Sequence, residues 1–170
     1  DQTLGQIIDS HTWDIITFQQ DSAEVGRANS YANLANLASE VRSRVGNNPK
    51  FYWHQTWAYD SDYHDYYDYF AYFNNNQITM YNAINSCYES EVAPLHLFDK
   101  FIPAGTAVQN LRTSYMKETF TRDGKHMSSV QGRYLLALDF LSAVFNVNLI
   151  KSPCHYVPSE VNDSFVNVAV

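Results

Sequence analysis

The sequence places a carboxylate three residues before an imidazole in Arg122-Asp123-Gly124-Lys125-His126. In a turn, that spacing lets the carboxylate accept a hydrogen bond from the ring Nδ1–H. Nε2 is then left as a general base toward a hydroxyl, and the imidazolium that forms is stabilised. Spacing alone is close to what chance supplies in a chain with six His. The plain alternative is a solvated Asp-Gly turn leading into a helix. Location favours chemistry, because the pair sits just ahead of the last long helical stretch, Met127 to Phe145.

A second group is Trp53-His54-Gln55-Thr56-Trp57. An aromatic wall beside polar amides at a strand end suits a sugar ring or an acyl group, so Trp53, His54, Gln55 and Trp57 are candidate substrate-binding residues. The competing reading makes either tryptophan core. Ser22 follows a strand in a turn, where a nucleophile can sit. No glycine precedes it closely, however, and Asp21 disfavours an alkoxide beside it, so a structural turn is the default. Asp60-Ser61-Asp62-Tyr63-His64-Asp65, with Asp68, carries enough oxygen ligands for calcium or a mixed set for zinc. It lacks the glycine and terminal glutamate of an EF-hand loop, and no second histidine stands at a zinc-binding helix spacing, so it reads as a solvated acidic loop and no metal site is assigned. Arg112 and Arg122 read as partners of nearby carboxylates, with anchoring of a substrate carboxylate as the alternative.

Three short apolar runs must position these groups. Trp13 to Phe18, Phe51 to Trp57 and Leu95 to Ile102 read as strands, the first nearly continuous in apolar character as a buried parallel strand should be. Helical spacing of Tyr31, Leu34, Leu37, Ala38 and Val41 predicts a helix over 30–45, N-capped by Ser30 and stopped by Gly46-Asn47-Asn48-Pro49. A second helix over 75–92 puts Ile78, Tyr81, Ile84 and Tyr88 on one stripe, a short one starts near Thr106, and the last covers 127–145. Alternating strands and helices predict an α/β domain with a parallel sheet covered on both faces. Ligands bind such sheets at the carboxyl ends of the strands, which selects 19–22, 54–59 and 103–109.

Composition bounds the rest. The 170 residues are 45% apolar and 17% charged, as expected of one folded domain. No stretch of 18 apolar residues occurs, so no membrane span is expected. A net charge of −7 with dispersed Lys and Arg argues against nucleic acid. Thirteen Tyr, ten Phe and three Trp suit a neutral polar ligand such as a sugar, although cores use aromatics too. Cys87 and Cys154 read equally as one disulfide or two buried thiols.

Several stretches together resemble the SGNH/GDSL-type hydrolase superfamily, in a bacterial branch of it. They are Trp13-Asp14-Ile15-Ile16 leading to Gln19-Gln20 and Ser22, and Trp53-His54-Gln55-Thr56-Trp57-Ala58-Tyr59. Ile102-Pro103-Ala104-Gly105-Thr106-Ala107-Val108-Gln109-Asn110, and Arg122-Asp123-Gly124-Lys125-His126 through Gly132-Arg133-Tyr134-Leu135, complete the set. The resemblance spans roughly residues 3 to 150. It implies a flavodoxin-like three-layer sandwich with a parallel sheet, incomplete at its N-terminus, over 1–152, with an extension over 153–170. It also implies an ester hydrolase, with a carbohydrate acetyl esterase as the expected kind, that needs no cofactor and takes a small-molecule or carbohydrate ester.

In that superfamily an Asp-x-x-His motif supplies two members of a triad, the positions of Asp123 and His126. Gln19-Gln20 stands where the superfamily carries an asparagine that donates to the oxyanion. Gln20 is the first choice for that role and Gln19 the alternative, since strand alternation lets only one face the site. The Gly-Asp/Asn-Ser block that holds the nucleophile has no counterpart here, and neither has the following glycine block. The serine is therefore expected in sequence upstream of Asp1, and the 170-residue chain alone is expected to be inactive. A secreted or periplasmic protein is the implied setting. The alternative function is a non-catalytic carbohydrate-binding or interaction domain derived from such a hydrolase.

Overall fold

The computed structural model describes residues 2–64, 69–117, 120–152, 156–161 and 163–169, without the side chains at 167 and 168. Asp65 and Asp68 of the acidic loop, and Cys154, lie outside the described residues. Three strands, β1 (Ile15–Phe18), β2 (Lys50–His54) and β3 (Lys100–Ile102), form a parallel sheet in the order β1-β2-β3. The helices are α1 (Leu4–Asp9), α2 (Leu34–Val45), α3 (Gln77–Cys87), α4 (Ala104–Arg112), α5 (Gln131–Phe145) and α6 (Asp163–Ala169). No helix among the described residues is long and apolar enough to cross a membrane.

Strand alternation sorts the sheet's side chains onto two faces. Ile16, Phe18, Phe51, Trp53 and Phe101 join Leu34, Ala38 and Val41 of α2 and Cys87 at the end of α3 in one core. On the other face Ile15, Tyr52 and Ile102 meet Ala143 and Val144 of α5. A parallel strand buried on both faces is expected to read as a continuous apolar run, and Phe51-Tyr52-Trp53 at the centre of the sheet does. Two further cores lie beyond the sheet. One joins α4, α5 and α6 through Val108, Leu111, Leu135, Leu138 and Phe165. The other gathers Val25, Tyr59, Phe70, Phe73 and Met80. The segment after residue 152, set apart as an extension from sequence, contributes Val161 and Phe165 to the helical core.

Element boundaries depart from the sequence expectations where local chemistry competes. Ser30 does not cap α2. It lies in a 3₁₀ turn (Ala28–Tyr31), its hydroxyl donates to Arg27 O at 2.7 Å, and α2 starts after Asn33. β3 begins five residues later than expected, because Pro94 and a left-handed His96 (φ 51°) keep 93–96 in a turn. β2 pairs only to His54. The buried stripe of α3 is Gln77, Met80, Ile84 and Cys87, while Ile78 is 51% exposed; of the expected stripe only Ile84 is deeply buried. A π turn (Tyr88–Val92) extends α3 and carries Val92 back into the core. Cys87 is a free thiol, and burial pushes its pKa up.

Candidate active site

The loop between residues 120 and 128 closes as a miniature hairpin. Thr121 and Met127 form an antiparallel bridge, Arg122 N donates to His126 O at 2.9 Å, and Ser128 N donates to Phe120 O at 2.6 Å. At its tip Gly124 has φ +85°, a left-handed conformation that glycine adopts without a Cβ penalty. A Cβ there would also stand 2.6 Å from the Tyr63 ring. The turn brings Asp123 Oδ2 to 2.7 Å from His126 Nδ1, while Oδ1 accepts the backbone N–H of His126 at 2.8 Å and of Lys125 at 3.2 Å. Partial burial pushes the Asp123 carboxyl up. The His126 backbone N–H, its ring and the Lys125 N–H outweigh that and hold the carboxyl at about 2. Asp123 is therefore ionised at neutral pH, with both oxygens engaged by Lys125 and His126.

This hairpin is fastened from beneath. Trp57 Nε1 donates to Lys125 O at 2.7 Å, and Asp60 N donates to Gly124 O at 2.7 Å. The Asp60 carboxylate accepts from the Thr121 hydroxyl and from the Arg112 guanidinium, whose other nitrogen donates to Ala58 O at 2.9 Å. Asp60 and Arg112 are 5% and 8% exposed, so this ion pair is buried and hydrogen-bonded on several sides. Asp60 thus departs from the solvated acidic loop read from sequence. Arg112 pairs with a carboxylate, as that reading preferred, and Arg122 lies 3.8 Å from Asp123 on the exposed side. Among the described residues no group of three His, Cys, Asp or Glu side chains is placed to hold a metal.

The remaining candidates gather at the carboxyl ends of β1 and β2. His54 Nδ1 lies 2.9 Å from Gln19 Oε1, and burial lowers the His54 pKa. Gln20 turns away: Nε2 donates to Ser30 O at 3.1 Å and Ser30 Oγ at 3.0 Å, and Oε1 accepts Asp21 N–H at 2.9 Å. Both amide protons of Gln20 are spent locally. Gln55 is 1% exposed, donates to Asn85 Oδ1 at 2.7 Å and accepts the N–H and hydroxyl of Thr106 at 2.8 and 3.0 Å. It ties the first turn of α4 to β2 and α3. Gly105 permits that approach, since a Cβ there would fall 2.4 Å from Thr56 O. Trp53 is 4% exposed in the sheet core against Tyr31 and Phe98, and its edge lines a 330 Å³ hollow shared with Gln19, Gln20 and Ser30. Ser22 Oγ and O lie near the Tyr59 hydroxyl, at 3.4 and 2.9 Å. Thr56 Oγ1 donates to Gln20 O at 2.9 Å, so 19–20, 54–57 and 121–127 form one hydrogen-bonded rim.

A family model described as "Domain of unknown function (DUF4886)" matches residues 2–170. The chain belongs to the DUF4886 family. It is similar to a DUF4886 family protein from Bacteroides uniformis ATCC 8492, known from a crystal structure at 1.50 Å resolution, with 33% identity and a TM-score of 0.89. The match covers 98% of this chain and 63% of that one, so the chain spans less than two thirds of the relative's length. No curated protein matches it. In this DUF4886 domain, sequence reasoning brought Asp123 and His126 together and named the rim, but missed Asp60 and Thr121 as supports of the hairpin. The adjacency of Thr121 to the Asp-x-x-His motif was the one available signal.

Proposed function

We propose that this domain carries the acid–base half of an SGNH-type ester hydrolase, on a flavodoxin-like three-layer sandwich. The observation that carries the reading is the 2.7 Å bond from Asp123 Oδ2 to His126 Nδ1, made by a carboxylate that two backbone N–H groups fix in place. Among the described residues no protein hydrogen bond to Nε2 accompanies it, so that atom is available to take a proton from a hydroxyl. A serine supplied by sequence outside these 170 residues would attack the ester carbonyl. His126 would take its proton and return it to the leaving alcohol, and Asp123 would hold the ring and stabilise the imidazolium.

Gln19 fits the oxyanion-donor role better than Gln20, because its Nε2 is uncommitted among the described residues while both Gln20 protons go to Ser30. The half-buried rings of Trp57 and Tyr63 beside the polar rim, and the net charge of −7, favour a neutral acetylated carbohydrate as substrate, and a secreted or periplasmic bacterial setting agrees with that chemistry. The locked Gln20 amide also favours a second reading, a non-catalytic carbohydrate-binding domain derived from the same fold. The experiment uses a longer polypeptide containing the Gly-Asn-Ser or Gly-Asp-Ser block. It should hydrolyse a small acetyl ester, and His126→Ala should lower kcat by about 10³-fold or more. Full retention of hydrolysis in that variant would remove His126 from the mechanism. Absence of a serine block upstream would favour the binding domain.

A further inference from the structure

Asp123 and His126 are both about half exposed, with side-chain exposures of 45% and 54%, yet they hold one geometry. A surface His–Asp pair three residues apart gains little by itself, since solvent competes for both partners. Something else must fix the hairpin that carries them. The strongest polar cluster next to it is Asp60 with Arg112 and Thr121, buried directly beneath. One residue, Asp60, grips the hairpin twice. Its backbone N–H donates to Gly124 O at the tip, and its carboxylate accepts from the Thr121 hydroxyl at the base. Thr121 passes the grip on, because its Oγ1 also accepts Gly124 N–H at 3.1 Å. Arg112 neutralises the carboxylate and anchors it to Ala58 O, in a segment continuous with β2.

We propose that Asp60 and Thr121 are positioning residues: through Gly124 they fix the turn that presents Asp123 to His126, with Arg112 as the counter-charge that lets Asp60 be buried. As an account of a working hydrolase this rests on the proposed function, but the geometric claim does not. Two roles explain the chemistry of the cluster. The carboxylate is needed because Thr121 and Arg112 must both donate to one acceptor. The hydroxyl is needed because it alone can donate to Asp60 and accept from Gly124 at once.

The test reads the pair rather than activity, in the 170-residue chain. Asp60→Asn leaves Arg112 buried without a counter-charge, which endangers the fold, so Thr121→Val is the primary variant and Thr121→Ser the conservative one. Carbon-13 NMR follows the Asp123 carboxyl through acid titration, and nitrogen-15 shifts report which His126 ring nitrogen carries the proton. In Thr121→Val, with circular dichroism unchanged, the Asp123 midpoint should move from about 2 toward the ordinary carboxylate value of about 3.9. The His126 ring should leave the Nδ1–H form for the Nε2–H form preferred by free imidazole, and Thr121→Ser should restore both signals. Wild-type signals in a folded Thr121→Val would overturn the proposal and leave the cluster as packing. A null result for His126→Ala in the ester assay would end the hydrolase reading without touching these signals, so the two failures are distinguishable.

Discussion

Two polar regions meet at the carboxyl end of this sheet, and they are built in opposite ways. The hairpin carrying Asp123 and His126 is half-exposed at that pair, but it is held from behind by Asp60, Thr121 and Trp57. The glutamine rim of β1 is held at one position only. The Gln20 side chain is consumed by Ser30 and Asp21, while among the described residues that of Gln19 hydrogen-bonds to His54 alone. A side chain that orients a reacting group needs its own support, whereas one whose bonds are all satisfied locally has become structure. By that criterion the hairpin is a supported element with bonding capacity left at its surface, and Gln20 and Gln55 are braces.

The sharpest way to break the contrast is Asp60→Ala, which leaves Arg112 charged, buried and without its carboxylate. It should destabilise the domain by about 3–5 kcal/mol in a urea titration. A loss below about 1 kcal/mol would show that water reaches the guanidinium and that the hairpin is not fastened there. Gly124→Ala comes next, combining a positive φ with a Cβ that meets Tyr63, and should cost about 1–3 kcal/mol by the same measurement. The glutamines sharpen the other half. Gln20→Ala removes bonds to Ser30 and Asp21 and should cost about 1–2 kcal/mol, whereas Gln19→Ala should stay within about 0.5 kcal/mol. Equal costs would erase the distinction between brace and tool.

The smallest effect is in acid. Because the Asp123 carboxyl is held at about 2 against an ordinary value of about 3.9, the folded state binds fewer protons than the unfolded one across that interval. Its contribution to stability is fully present above about pH 4 and is lost as pH falls through about 2. Comparing urea midpoints of wild type and Asp123→Asn between pH 5 and pH 2 should show the gap narrowing toward the acid end. A gap that is constant across this range would mean that the carboxylate is not preferentially ionised in the fold.

The sheet was largely legible from sequence because burial on both faces writes short apolar runs at Ile15-Ile16, Phe51-Tyr52-Trp53 and Phe101-Ile102, and because strand–helix alternation fixes parallel pairing. Asp123 and His126 were legible because their pairing is local. The Asp60–Arg112 pair was not, since the partners stand 52 residues apart and an acidic stretch rich in Tyr reads as solvated until its counter-charge is found. The side-chain partners of Gln20 were hidden for a related reason. An amide at a strand end is free or spent according to a neighbour ten residues on, Ser30, whose hydroxyl reads from sequence as a helix cap. Trp53, placed on the site by its neighbours in sequence, follows strand alternation instead and joins Phe51 in the core, with one edge left on the hollow beside Gln19.

The π turn after α3 sets a phase for everything downstream. Cys87 and Val92, five residues apart, both enter the same core. Five ordinary helical steps would turn Val92 about 140° away from Cys87, whereas a turn closed by i→i+5 bonds stacks them. Deleting one residue from 88–92 would regularise the helix and yet bring its next residues to the core out of register, so this short segment should tolerate substitution on its exposed side far better than any change in its length.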